Sequence, residues 1–279
     1  MTDVEKWLNS LKDDDKSINT IVSYENDVIE FMDFTQKEVE DINKTDIDNY
    51  KNYIKDKELT IKTLNRKLSS INSFFRYLKD EEARNIDVVI KVEKTQKQNY
   101  LEHSLSKYDF QALVEAAESK NDLRAIAIFY TLYLTGMRVS EALSLKVSDV
   151  NKNNISIKGK GSKHREVFMP KRLRDILLNY LNVRINRDTP YLFTSKTGKT
   201  GNLSRKTVDT IIKKYANLAG IDKEKAHAHN FRHLYCMSLI EKGISIDTVA
   251  DLAGHSDINT TRIYTRKTKE QLLDTINNL

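Results

Sequence analysis

Apolar residues recur along the first 80 positions of the chain with the three- and four-residue steps of a helix. Trp7, Leu8 and Leu11 mark a short first helix. Ser17 is placed to cap a second, whose stripe is Ile21, Tyr24, Val28 and Phe31. Thr45 with Asp48 has the form of a capping box ahead of Ile47, Tyr50 and Ile54. In the fourth pattern Leu64, Leu68, Ile71, Phe75 and Leu78 alternate steps of four and three. Four amphipathic helices joined by short loops predict a small bundle over residues 1–83.

Residues 84–104 lose this periodicity and read as a polar, flexible linker. Ser106 with Asp109 then caps a helix containing Phe110, Leu113 and Val114, and an apolar helix runs from about Asp122 to a stop near Gly136. Ile155–Ile157 and Val167–Met169 bracket a basic, glycine-containing turn, which predicts a β-hairpin ended by Pro170. Helical patterns resume over Leu173–Leu181 and Ser204–Ala219 and again after Phe231. With only two prolines and eight glycines in 279 residues, breakers are scarce. The predicted fold class is mainly α with a small β-sheet: an N-terminal helical bundle, a linker, and a second domain over residues 105–279.

Composition narrows the function. No apolar run approaches the roughly 18 residues of a membrane span, and the acidic, polar N-terminus does not look like a secretory signal. One cysteine, Cys236, excludes an internal disulfide, so the expected setting is cytoplasmic, and the thiol is read as core packing. The net charge of +6 hides an asymmetry. Residues 1–90 carry 14 basic against 20 acidic side chains, and residues 91–279 carry 32 against 20. The second part therefore expects a polyanion partner. In the acidic first part, Lys62, Arg66 and Arg76 gather on the fourth helix opposite its apolar stripe and are candidate contacts to DNA phosphate.

Four separated segments carry side chains suited to one phosphate site. Arg138 and Glu141 lie in Thr-Gly-Met-Arg-Val-Ser-Glu-Ala-Leu, just past a helix stop. Lys160 sits at the tip of the hairpin, and His229 and Arg232 lie three apart on one helix face. His255 follows Leu-Ala-Gly, and Tyr264 is nine residues further on. Each fragment alone is common. Taken together and in this order, they resemble the signature of the tyrosine recombinases, the phage-integrase family, and most closely its compact Xer-like members. The family pattern Arg…Lys…His-x-x-Arg…His…Tyr falls on Arg138, Lys160, His229, Arg232, His255 and Tyr264, with Glu141 at the acidic position that supports the first arginine. The resemblance covers essentially the whole chain, and implies a helical core-binding domain before a catalytic domain.

The resemblance implies cleavage and rejoining of DNA through a 3′-phosphotyrosyl link. Arg138 and Arg232 would neutralise charge on a five-coordinate phosphorane, and His255 would add a hydrogen bond. Tyr264 would be the nucleophile, His229 its base or a phosphate-positioning group, and Lys160 the acid for the leaving 5′-hydroxyl. No metal or other cofactor is expected. His229, His233 and His255 lack a zinc-ligand spacing, His233 is a helper at most, and His103, His164 and His227 have no assigned role. Expected partners are double-stranded DNA with paired recombination sites and three further subunits, in a homotetramer or heterotetramer assembled on that DNA. No membrane contact is expected. Lys163, Arg165, Arg205 and Lys206 join the three basic residues of the first domain as expected DNA contacts, the last two at a helix start. Integration, excision, inversion and dimer resolution all stay open. A type IB topoisomerase-like relaxing enzyme and a non-catalytic DNA-binding protein are the competing readings, and binding alone would need neither Tyr264 nor Lys160. Leu272, Leu273 and Ile276 form a terminal apolar stripe that the resemblance assigns to a neighbouring subunit. Deleting residues 268–279 is therefore expected to leave DNA binding nearly intact and disrupt cooperative assembly on native gels. Unchanged assembly would count against that assignment.

Overall fold

The computed structural model describes residues 2–14, 16–86, 88, 90–93, 104–158, 164–185, 188–195, 201–254 and 261. The chain divides into two compact units, Met1–Gln98 and Asn99–Leu279.

The first unit packs four helices whose positions follow from their caps and stripes. They are α1 (Asp3–Asp13), α2 (Ile18–Thr35), α3 (Lys44–Asp56) and α4 (Ile61–Asp80). Thr2 and Glu5 form a reciprocal capping box on α1, and Ser17 caps α2 through the Thr20 N–H as predicted. The expected apolar stripes are buried, with Val28, Phe31, Tyr50, Ile54, Leu68, Ile71 and Leu78 all fully enclosed. Trp7 lies against Tyr24 and Phe74.

Two expectations need correction. The box ahead of α3 is not Thr45 with Asp48. Asn43 Oδ1 accepts from the N–H groups of Thr45 and Asp46, and the Asp46 carboxylate accepts from the Asn43 N–H. An asparagine two residues earlier satisfies two orphan donors at once, so the helix begins there. The described part of residues 84–93 also does not behave as a free linker. Ile86 and Ile90 are buried in the first core, and Asn65 exchanges side-chain hydrogen bonds of 2.8 and 2.9 Å with the backbone of Glu93. Two apolar residues four apart are enough to dock the segment but too few to show a period.

The first core also holds charge. Lys67 interrupts the stripe of α4 and is buried. Its Nζ donates to Asp27 Oδ1 at 3.1 Å and to Glu30, while Ser70 Oγ donates to the other Asp27 oxygen at 2.8 Å. Arg66 also pairs with Asp27 and reaches Ser23. A buried ion pair contributes little net stability while intact, but removing one member leaves an uncompensated buried charge.

The second unit is built around α6 (Leu123–Thr135), buried on every side from Ala125 to Leu132, as expected of a helix that is apolar all round. It follows α5 (Lys107–Glu118), which carries the predicted Ser106–Asp109 box. Short α7 (Val139–Leu143) leads to an antiparallel hairpin, β1 (Asn154–Lys158) and β2 (His164–Phe168), paired with Ile155 opposite Val167 and Lys158 opposite His164. Then come α8 (Lys171–Val183), α9 (Arg205–Leu218), α10 (Ala228–Glu241) and α11 (Ile246–Ala253). Helix α10 begins at Ala228, three residues before Phe231. Cys236 is fully buried beside Val249 and Ala253, in keeping with packing. Among the described residues no helix is long and apolar enough to cross a membrane.

Asp27→Ala should destabilise the first unit by about 3 kcal/mol, because the buried Lys67 is left with Glu30 alone and Ser70 and Arg66 lose their carboxylate partner. Urea unfolding of the full chain followed by Trp7 fluorescence reads this directly, because Trp7 is the only tryptophan and lies in that core. A change below about 0.5 kcal/mol, the scale of ordinary surface substitutions, would contradict it.

Candidate active site

Helix α6 ends at Gly136, whose left-handed backbone (φ 60°) turns the chain sharply. A side chain there would strike the ring of Tyr235 on α10. This close approach seats Gly136 on α10, and Arg232 Nη1 donates to the Gly136 carbonyl at 2.8 Å. Arg232 is buried to 2% exposure. Burial draws its pKa down to about 10, assisted by the positive charge of Arg138. At neutral pH it remains a cation.

Two residues after the turn, Arg138 occupies the cap position of α7. Glu141, one helical turn on, accepts from the Arg138 backbone N–H at 2.7 Å and from its Nη1 at 3.0 Å. Arg138 Nη2 donates to the carbonyl of Gly254 at 3.3 Å. The guanidinium is thus held from two sides while its side chain stays 44% exposed. Both Glu141 oxygens also take a fork from Arg165 of β2, at 3.0 Å each. Burial opposes the charge on Glu141, but the bonds from Arg165 and Arg138 prevail and hold its pKa below the ordinary glutamate value of 4.5. Among the described residues, three guanidinium groups are therefore gathered near one carboxylate, a local excess of positive over negative groups.

The structure thus brings Arg138, Glu141, Arg165 and Arg232 together. His229 lies one turn before Arg232 on α10, exposed, with its ring edge-on to His233 at 4.3 Å between centroids. Lys160, Lys163, His255, Tyr264, His103 and the stripe Leu272, Leu273 and Ile276 lie outside the described residues. Of the expected DNA contacts, Lys62, Arg76, Arg205 and Lys206 are exposed, and Ser204 caps the helix that the last two open. Arg66 is also exposed but pairs with Asp27, whereas Arg165 is committed to Glu141 with its side chain 12% exposed. The pairing of Arg165 had no signal in the sequence, because its partner lies 24 residues away on another element. Gly254 entered the sequence reading only as part of the Leu-Ala-Gly that precedes His255.

The Phage integrase family profile matches residues 103–271 of this chain, and the N-terminal SAM-like domain of phage integrases matches residues 4–82. This chain belongs to the phage integrase family. It is 32% identical over 270 residues to tyrosine recombinase XerD of Rickettsia bellii, covering 89% of this chain and 88% of that protein. It is 31% identical to the TnP I resolvase of Bacillus thuringiensis, covering 97% of each. A shared fold is also seen with the XerH site-specific recombinase bound to palindromic difH substrate. There the TM-score is 0.75 at 23% identity, over 92% of this chain and 78% of that one. The predicted fold, mainly helical with one small sheet and a helical domain ahead of the catalytic one, is that of the family.

Glu141→Gln would meet the same donors with one oxygen and an opposing NH2 group. It should lower stability by about 3 kcal/mol near neutral pH. The folded pKa of Glu141 is depressed, so its contribution is full above the unfolded value and fades as pH falls through the folded one. The gap between wild type and Glu141→Gln should therefore be constant from pH 6 to 8 and narrow only below about pH 4.5 in denaturant titrations. A gap that widens with acid would contradict the assignment.

Proposed function

We propose that this family member is a site-specific recombinase that cuts and rejoins double-stranded DNA through a covalent link on Tyr264. The observation that carries this reading is the excess of guanidinium groups over carboxylates among the described residues here, with Arg138, Arg165 and the buried Arg232 gathered near Glu141. Such a surplus is stabilised by an anion, and a phosphodiester whose charge grows during reaction would gain most. Arg138 and Arg232 are the groups that meet it. Lys160, His229, His255 and Tyr264 take their roles from the family signature that they match.

In the forward step the Tyr264 oxygen forms a bond to phosphorus as its proton passes to His229. The bond from phosphorus to the 5′-oxygen breaks, and that oxygen takes a proton from Lys160. His255 donates to a non-bridging oxygen. The phosphotyrosyl bond is close in energy to the one broken, so a 5′-hydroxyl from another strand reverses the step without ATP. Charge is supplied by side chains, so a metal is not called for. Exchange between two duplexes requires paired sites and a tetramer, of one chain type or two, with Lys62, Lys163, Arg76, Arg205 and Lys206 along the backbone. The compartment that suits this substrate is the cytoplasm, at the nucleoid.

Nicked suicide substrates carrying the recognised site, incubated in EDTA, should give a covalent protein–DNA complex on a denaturing gel. Tyr264→Phe should give none yet still shift DNA on a native gel. A complex that persists with Tyr264→Phe, or cleavage that needs added metal, would overturn the proposal. Paired sites should then yield exchanged strands, where a topoisomerase would only relax supercoils.

A further inference from the structure

The family signature assigns no role to Arg165, and its place on a basic hairpin suggested a contact with DNA. The geometry points to a different role: we infer that Arg165 is a positioning residue that locks Arg138 into its reactive orientation through Glu141 and Gly254. This rests on the recombinase reading above.

Three observations support it. First, α7 is five residues long, too short to hold its own cap in place. Arg138 therefore depends on contacts from outside its helix. Second, Glu141 cannot orient Arg138 unless it is itself oriented, and the only other bonds to its carboxylate oxygens among the described residues are the two from Arg165, each 3.0 Å. A planar fork on a planar carboxylate fixes both position and rotation. Third, Arg165 packs directly on Gly254. A Cβ added to Gly254 would lie 2.5 Å from Arg165 Cδ, 2.8 Å from Nε and 2.9 Å from Nη1. The carbonyl of that same Gly254 is the second acceptor of the Arg138 guanidinium.

The contacts close a ring, from Arg165 to Glu141 to Arg138 to Gly254 and back to Arg165. It ties together three elements far apart in sequence: β2, α7 and the end of α11. With its side chain 12% exposed and its fork occupied, Arg165 is already spent within the protein. Lysine keeps the charge but has no fork, so it would hold Glu141 at one point and leave it free to turn. Removing the fork should misplace the Arg138 guanidinium without removing it.

The test is single-turnover cleavage of nicked suicide DNA, together with equilibrium binding across a salt series. The wild type must first form the covalent complex; failure at that step counts against the recombinase reading and not against this one. Given that, Arg165→Met should cleave roughly 100-fold more slowly, the order expected for a misplaced catalytic group. Its Kd should stay within about threefold of wild type and its salt slope should be unchanged. Arg165→Lys should fall between the two, and Gly254→Ala, which displaces Arg165, should resemble Arg165→Met. Combining Glu141→Gln with Arg165→Met should be no worse than the poorer single variant, because both act through one linkage. On a scissile methylphosphonate, which carries no charge for Arg138 to neutralise, the Arg165→Met deficit should shrink. A loss through misfolding alone would not shrink on that substrate, and that result overturns the inference. So does wild-type cleavage by Arg165→Met, or weakened binding with a salt slope lower by about 0.9, the mark of a lost phosphate contact. If Arg165→Met fails to fold, the intermediate rate of Arg165→Lys with unchanged Kd decides the question.

Discussion

One carboxylate shared by two guanidinium groups is the interaction on which the second unit turns. Glu141 accepts four hydrogen bonds, two from Arg138 and two from Arg165. Without it, two cations would face each other near a third, Arg232, in a partly buried place where charge repulsion is poorly screened. With it, the group is held together, and among the described residues guanidinium groups still outnumber carboxylates. That balance separates a structural ion pair from a charged site that can act on a ligand.

The remaining orientation is supplied by neutral groups. Helices α6 and α11 are each capped by a left-handed glycine, Gly136 and Gly254. Each hands a backbone carbonyl to one of the two signature arginines, Gly136 to Arg232 and Gly254 to Arg138. Carbonyls near helix C-termini lack intrahelical donors and carry partial negative charge. They can steer a guanidinium without cancelling its charge, as a second and third carboxylate would. The crowding of Tyr235 on Gly136 and of Arg165 on Gly254 shows why both positions must be glycine: each needs a positive φ and no Cβ. The first unit follows the opposite rule. There Asp27 and Glu30 absorb the charge of Lys67 and Arg66, and the network serves packing between α2 and α4.

Local features of the fold were legible in the sequence and non-local ones were not. The Ser17 and Ser106 caps, the stripe of α4 and the stop at Gly136 each depend on neighbours within a turn, so pattern alone locates them. The start of α3 was misplaced because Asn43, Thr45, Asp46 and Asp48 crowd together and several registers offer a plausible box. Lys67 reads as a surface residue until Asp27, 40 positions away, is brought beside it. Arg165 likewise looks like one more cation on a basic hairpin, and only tertiary contact shows it is occupied. Arg138, Glu141 and Arg232 were identified because the family signature encodes their spacing. Their mutual orientation comes from two glycine carbonyls, for which the sequence shows only the glycines.

The electrostatics also constrain which groups can govern the reaction near neutral pH. Burial and the charge of Arg138 bring the pKa of Arg232 down to about 10, which still leaves it fully charged in that range. Glu141 is held below the ordinary glutamate range and stays ionised there too. An anion bound beside Arg232 would favour its charged form and move its pKa back up, so occupancy and protonation reinforce each other. The guanidinium–carboxylate scaffold is therefore electrostatically constant between the two titrations. Under the proposed assignment of roles, pH dependence of strand cleavage in that interval would come from the groups that exchange protons with substrate or nucleophile, His229, Lys160 and Tyr264. On that proposal the scaffold would set how strongly charge is stabilised, and the proton-transfer groups would set when the step can occur.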